Sequence, residues 1–227
     1  MMQRLSMRQL ETLDCEPEQY YRRHVAEMAI PPLSTAASER GQRFHHVMQQ
    51  QYLGLPIAEL LQAEPELSRY WQAFQTFPPP LLPESLQRAE WPIAIAWPPF
   101  QLYGVVDLWV ETADSIQLVD WKTYRRVPQS VALEHNWQTR LYCYLAQTLY
   151  PQHQIEMLYW FTEAPQQPLR LRHTAQRHRA IQQRLTVLLE QLAHWQARGA
   201  YPQPAVPPYP TPALTGLRLS PNAALTC

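Results

Sequence analysis

The segment that most constrains the fold is "FQLYGVVDLWVETADSIQLVDWK", residues 100–122. Two runs rich in β-branched and aromatic residues flank a Thr-Ala-Asp-Ser turn signal, which is the pattern of two strands joined in a hairpin. A turn centred between Ala113 and Asp114 pairs residues whose numbers add to 227, so Trp109 faces Leu118, Asp107 faces Asp120 and Val105 faces Lys122. Period-two alternation then places Asp107, Asp120 and Lys122 on one face of the sheet. Directly opposed side chains lie roughly 5 Å apart. A slip of one residue would undo the arrangement.

Two facing carboxylates repel each other, so a compensating charge is expected. A divalent cation held by both would supply it, and hard oxygen ligands point to magnesium or manganese rather than zinc. Lys122 stands beside them and is the chain's only lysine, although Lys and Arg together number 19. Lysine is a compact charge whose pKa shifts readily on burial, which an arginine cannot imitate. Taken singly, the two aspartates also read as solvent-facing strand residues and Lys122 as an edge-strand charge. Their joint placement in otherwise apolar strands favours a site.

Outside the hairpin the period changes. Residues 6–28 read as helix with Ser6 as N-cap, and a second helix spans about 34–53. Shorter helical patterns follow in "PIAELLQAE" and "PELSRYWQAFQTF", each opened by a proline suited to a first turn. "RAEWPIAIAW", "HQIEMLYWFTE" and "PLRLRHT" read as strands. Residues 128–150 are helical, and a long helix from Ala175 to Arg198 stops at Gly199. These elements predict an α/β (α+β) domain over 1–199, a small mixed β-sheet flanked by helices with a helical N-terminal part. A proline-rich tail occupies 200–227.

Composition narrows the function. With 46% apolar residues and a formal charge of zero, the chain is a folded protein rather than a polyanion binder by bulk charge. Any nucleic-acid contact must come from local clusters such as Arg125 and Arg126, "RRH" at 22–24 and "LRLRHTAQRHR" at 169–179. No Gly-rich phosphate loop is present among only 5 glycines. No secretory signal or membrane-length apolar run is visible, and Cys15, Cys143 and Cys227 do not form a disulfide framework. The expected setting is cytoplasmic and reducing.

"GVVD" followed by "DWK" resembles the core of the PD-(D/E)XK nuclease superfamily. "GQRFHH" is similar to the Gly-x-x-x-His motif of its RecB-like branch, with Gly41 and His45 in the matching places. "QTRLY" resembles that branch's Gln-x-x-x-Tyr motif, with Gln138 and Tyr142 matching. Glu90 lies on the preceding strand, where relatives often carry a glutamate. These motifs run in the family's order from Gly41 to Tyr142.

The resemblance implies a restriction-endonuclease-like core and a magnesium- or manganese-dependent deoxyribonuclease serving DNA repair or recombination. Asp107 and Asp120 would bind the metal, with the Trp121 carbonyl and His45 completing the shell. Lys122 would orient or help deprotonate the attacking water. Gln138 and Tyr142 would contact DNA or steady the site, while Glu90 receives no role. The substrate would be single-stranded DNA or duplex ends, with a helicase or repair-complex subunit as candidate partner. "SMRQLETLDCEPEQYYRR" resembles the opening of RecB-like members, in some of which such a cysteine helps to hold a four-iron cluster. Three cysteines cannot supply four thiolates, so no iron–sulfur cluster is expected, and Cys15 reads as a buried packing residue. The competing reading is an inactive nuclease-fold DNA-binding or scaffold subunit, against which the complete Asp-Asp-Lys set argues.

Overall fold

The computed structural model describes residues 2–26, 36–124 and 126–202. Most of the 200–227 tail, Cys227 and Arg125 therefore lie outside the described residues. The frame is a six-stranded mixed sheet built from β1 (Gln3–Leu5), β2 (Leu86–Trp97), β3 (Phe100–Glu111), β4 (Ser115–Lys122), β5 (Gln154–Phe161) and β6 (Leu169–Arg172). The order is β1-β3-β4-β5-β6, with β2 on the opposite edge of β3. β2 meets only β3, so the edge position tolerates Pro92, which has no N–H to give to a second neighbour.

The hairpin register is the one that the turn predicts: Leu108 pairs with Val119, Trp109 with Leu118, Val110 with Gln117 and Glu111 with Ile116. Parallel β4 and β5 are joined by the crossover α6 (Ser130–His135) and α7 (Trp137–Leu149), as a parallel pair requires. α7 starts cleanly because the Asn136 side chain accepts from the Thr139 N–H at 2.7 Å.

Helices cover both faces. One face packs α1 (Met7–Cys15), α2 (Pro17–His24), α7 and α8 (Ala175–Arg198) around Leu102, Trp109, Leu118 and Tyr159. The other packs α3 (Ala36–Tyr52), α4 (Ala58–Ala63) and α5 (Pro65–Thr76) around Leu108, Val119, Trp121 and Trp160.

Several expectations need correction. The helix expected over 6–28 is broken at Glu16, because the residue before Pro17 is disfavoured in the α region; 27 and 28 lie outside the described residues. The helical 128–150 segment is divided into α6 and α7. α4 begins at Ala58, so Pro56 precedes its first turn, whereas Pro65 does open α5. β1 was not anticipated; three residues are too few to show a period. Cys15 is half-buried rather than buried.

Candidate active site

The site forms where β3 and β4 part. Their ladder ends at Leu108 and Val119, so the expected pairings of Asp107 with Asp120 and Val105 with Lys122 are not ladder pairs. Instead the Asp107 carboxylate reaches the edge of β4 and accepts the Trp121 N–H at 3.0 Å. The alternation of β3 also breaks here. Val106 and Trp109, three residues apart, share one core, while Leu108 and Val110 belong to the other. In β2 the partner position is Glu90, which has a left-handed backbone (φ 49°) and is missing from the otherwise continuous β2–β3 register. That conformation is costly for a residue with a Cβ, and it turns Glu90 into the same cleft as Asp107.

Side chains from both helical layers converge on this gap. From α3, His45 sets Nε2 2.8 Å from the Trp121 carbonyl oxygen and Nδ1 3.1 Å from Asp107 Oδ2. The helix can lie this close because residue 41 is glycine: a Cβ there would stand 3.2 Å from Thr123 Oγ1. From α7, Gln138 accepts from Lys122 Nζ at 2.8 Å and donates to Asp120 Oδ1. Lys122 Nζ is also 2.7 Å from Asp120 Oδ2. Tyr142, one turn further along α7, lies with its ring over Gly104 and lines the same cleft. Gln138 thus holds the charged pair from behind.

Electrostatics follow from burial. Asp120 is almost fully buried, and desolvation raises its pKa against the pull of Lys122, with Asp107 adding to the rise. Burial opposes the charge on Lys122, but Asp120 outweighs it and the ammonium is favoured. For His45, burial is again overcome, chiefly by the hydrogen bond and charge of Asp107, which carry its pKa to about 9. Glu90 is raised by burial and by the neighbouring Asp107.

These residues line one open cleft of about 1060 Å³ that also receives Arg8, Arg40, Tyr124 and Arg126. Arg126 thus shares the cleft with Asp107, Asp120 and Lys122. In the cluster at 169–179, two of the four arginines are engaged within the fold: Arg170 pairs with Glu156 at 3.4 Å, and Arg177 pairs with Glu134. Arg23 lies in a separate groove. Sequence reading missed Arg8 and Tyr124. Arg8 carries no local signal, whereas Tyr124 could have been noticed as an aromatic two residues beyond Lys122.

The donor set suits a hard divalent cation. It comprises the Asp107 and Asp120 carboxylates, the Trp121 carbonyl and the His45 imidazole, with no thiolate among the described residues of the cleft. Asp120 Oδ2 is buried without a well-directed hydrogen bond and faces only the Lys122 ammonium at 2.7 Å among the described residues. Among the described residues no group of three or more His, Cys, Asp or Glu side chains is arranged as it stands to hold a metal ion, and His45 is bonded to Asp107 and the Trp121 carbonyl.

Among the described residues no helix is long and apolar enough to cross a membrane. A family model for the PD-(D/E)XK nuclease superfamily matches residues 4–207. Comparison with curated protein sequences finds no match. Among solved structures, a Eubacterium rectale protein assigned as an exonuclease is 7% identical, with 85% of this chain and 79% of that one covered at a TM-score of 0.52. An alkaline exonuclease from Laribacter hongkongensis is 11% identical, with 86% and 93% covered at a TM-score of 0.34. The first shares the fold.

Proposed function

Since the chain belongs to the PD-(D/E)XK nuclease superfamily, whose fold serves hydrolysis of nucleic acids, we propose that it is a metal-dependent deoxyribonuclease. The observation that carries this reading is the convergence of Asp107, Asp120 and Lys122 at the parting of β3 and β4, with His45 and Gln138 bonded to them from opposite sheet faces. Asp107 and Asp120 would hold magnesium or manganese with the Trp121 carbonyl, and His45 would join them by releasing its present partners. Such a cation, when bound, supplies an acidified water and charge stabilisation at the phosphate. Lys122 donates to the attacking water or to a phosphate oxygen, and Gln138 keeps its ammonium pointed there. Arg126 binds substrate phosphate at the cleft, where positive charge suits the backbone.

The Eubacterium rectale protein of the same fold is assigned as an exonuclease, and we extend to this chain action at DNA ends. A role in repair or recombination beside a helicase follows from the same family reading. Asp107→Asn and Asp120→Asn are the test: each should abolish cleavage of end-labelled DNA while the protein stays folded. Wild-type protein that binds DNA without cutting it would favour the scaffold reading instead.

A further inference from the structure

Four aromatic residues line the cleft: Tyr70, Trp121, Tyr124 and Tyr142. Three are committed to the fold. Tyr70 packs edge-on against Phe44, Trp121 sits among Tyr52, Phe74 and Trp160, and the Tyr142 ring covers Gly104. None of these three is more than 6% exposed. Tyr124 is 42% exposed, more than any other tyrosine or tryptophan among the described residues. No other aromatic ring packs on it within the described fold. The Lys122 ammonium lies 5.6 Å from its ring centre. A bare aromatic face is costly to leave in water, and this one stands beside the proposed reacting group.

Building on the nuclease reading, we infer that Tyr124 is a stacking platform for an unpaired nucleobase, so that the cleft takes a single strand or a frayed end rather than an intact duplex. A base can lie on a side-chain ring only when its own face is free, which holds for unpaired strands and not within a duplex. The cations of the cleft fit the same strand. Arg40 is bound to Glu66 at 3.1 Å, whereas Arg8 and Arg126 line the cleft without an ion pair among the described residues. They are left to meet the phosphates on either side of the stacked base. Tyr124 would thus be a specificity-determining residue, placing the scissile phosphate by holding its neighbour.

The test is equilibrium binding of fluorescent oligonucleotides in chelator, where no cutting occurs. It compares wild type, Tyr124→Ala and Tyr124→Trp on a single strand, a blunt duplex, and single strands each carrying one abasic position. Tyr124→Ala should weaken single-strand binding about 5- to 150-fold, the loss of one stacked base, and leave duplex binding unchanged. Tyr124→Trp should retain affinity. One abasic position should cost the wild type the same factor and cost Tyr124→Ala nothing further. Unchanged single-strand binding by Tyr124→Ala, equal losses on duplex and single strand, or additive losses at every abasic position would overturn the inference. Cleavage with magnesium or manganese is scored separately. Stacking without cleavage would sink the nuclease reading alone, and cleavage with a silent Tyr124→Ala would sink the stacking inference alone.

Discussion

The ring of Tyr142 occupies the space that a side chain on residue 104 would need: a Cβ built on Gly104 falls 2.5 Å from Tyr142 Cε1 and 2.9 Å from Cδ1. The glycine of the β3 motif and the tyrosine of the α7 motif are therefore one packing feature. Gly104→Ala should destabilise the protein by about 1–3 kcal/mol, the usual cost of overpacking a closed core. In a thermal-denaturation cycle with Tyr142→Leu, the two losses should be clearly less than additive. Full additivity would show that the contact does not limit either position.

Gln138 accepts from Lys122 and donates to Asp120, so it sets the direction of both without a charge of its own. Gln138→Leu should lower kcat by about 10–100-fold, as for other residues that orient ligands and reacting groups, with less change in KM. Circular dichroism and melting should show a folded protein. An unchanged kcat would remove Gln138 from this role.

Much of this could be read in advance where local chemistry decides the outcome. The Thr-Ala-Asp-Ser turn specifies the register that the hairpin adopts, and a slip would move Trp109 and Leu118 out of the core they fit and into the one on the other face. The Ala175–Arg198 helix and its Gly199 stop were equally legible. What could not be read is the break at Asp107. It depends on Glu90 adopting a left-handed backbone on the neighbouring strand, a conformation that no local propensity favours. Nor does spacing reveal that His45 and Gln138 arrive from opposite faces of the sheet, which is a property of the three-dimensional layering.

Away from the site, His173 is buried at the end of β6 with Nε2 3.2 Å from His178 Nδ1. Burial first, then the neighbouring His178 and Arg177, lower its pKa from 6.5 to about 4. The unfolded chain then binds the extra proton between these values. The contribution of neutral His173 to stability should be fully present above about pH 7 and be lost as pH drops from 6.5 towards 4. Urea denaturation across that range should show a shallower pH dependence in His173→Gln. An identical slope in the variant would assign the acid lability elsewhere.

Lys122 is held by Asp120 at 2.7 Å and Gln138 at 2.8 Å, a space fitted to an ammonium. An arginine there would bring a larger planar group with its donors in a fixed fork. Lys122→Arg and Lys122→Ala should each lose roughly 10²–10³-fold in cleavage, the typical cost of removing one preorganised stabilising group, while DNA binding survives. Near wild-type cleavage by Lys122→Arg would make the only lysine an accident of composition.

The central claim is that the paired carboxylates work through a bound divalent cation. The direct measurement is cleavage of end-labelled single- and double-stranded DNA by purified protein in magnesium, in manganese and in excess chelator. The account predicts cleavage with either metal, none in chelator, and recovery when metal is restored. Cleavage that persists in chelator at the same rate, and that Asp107→Asn and Asp120→Asn leave intact, would contradict it.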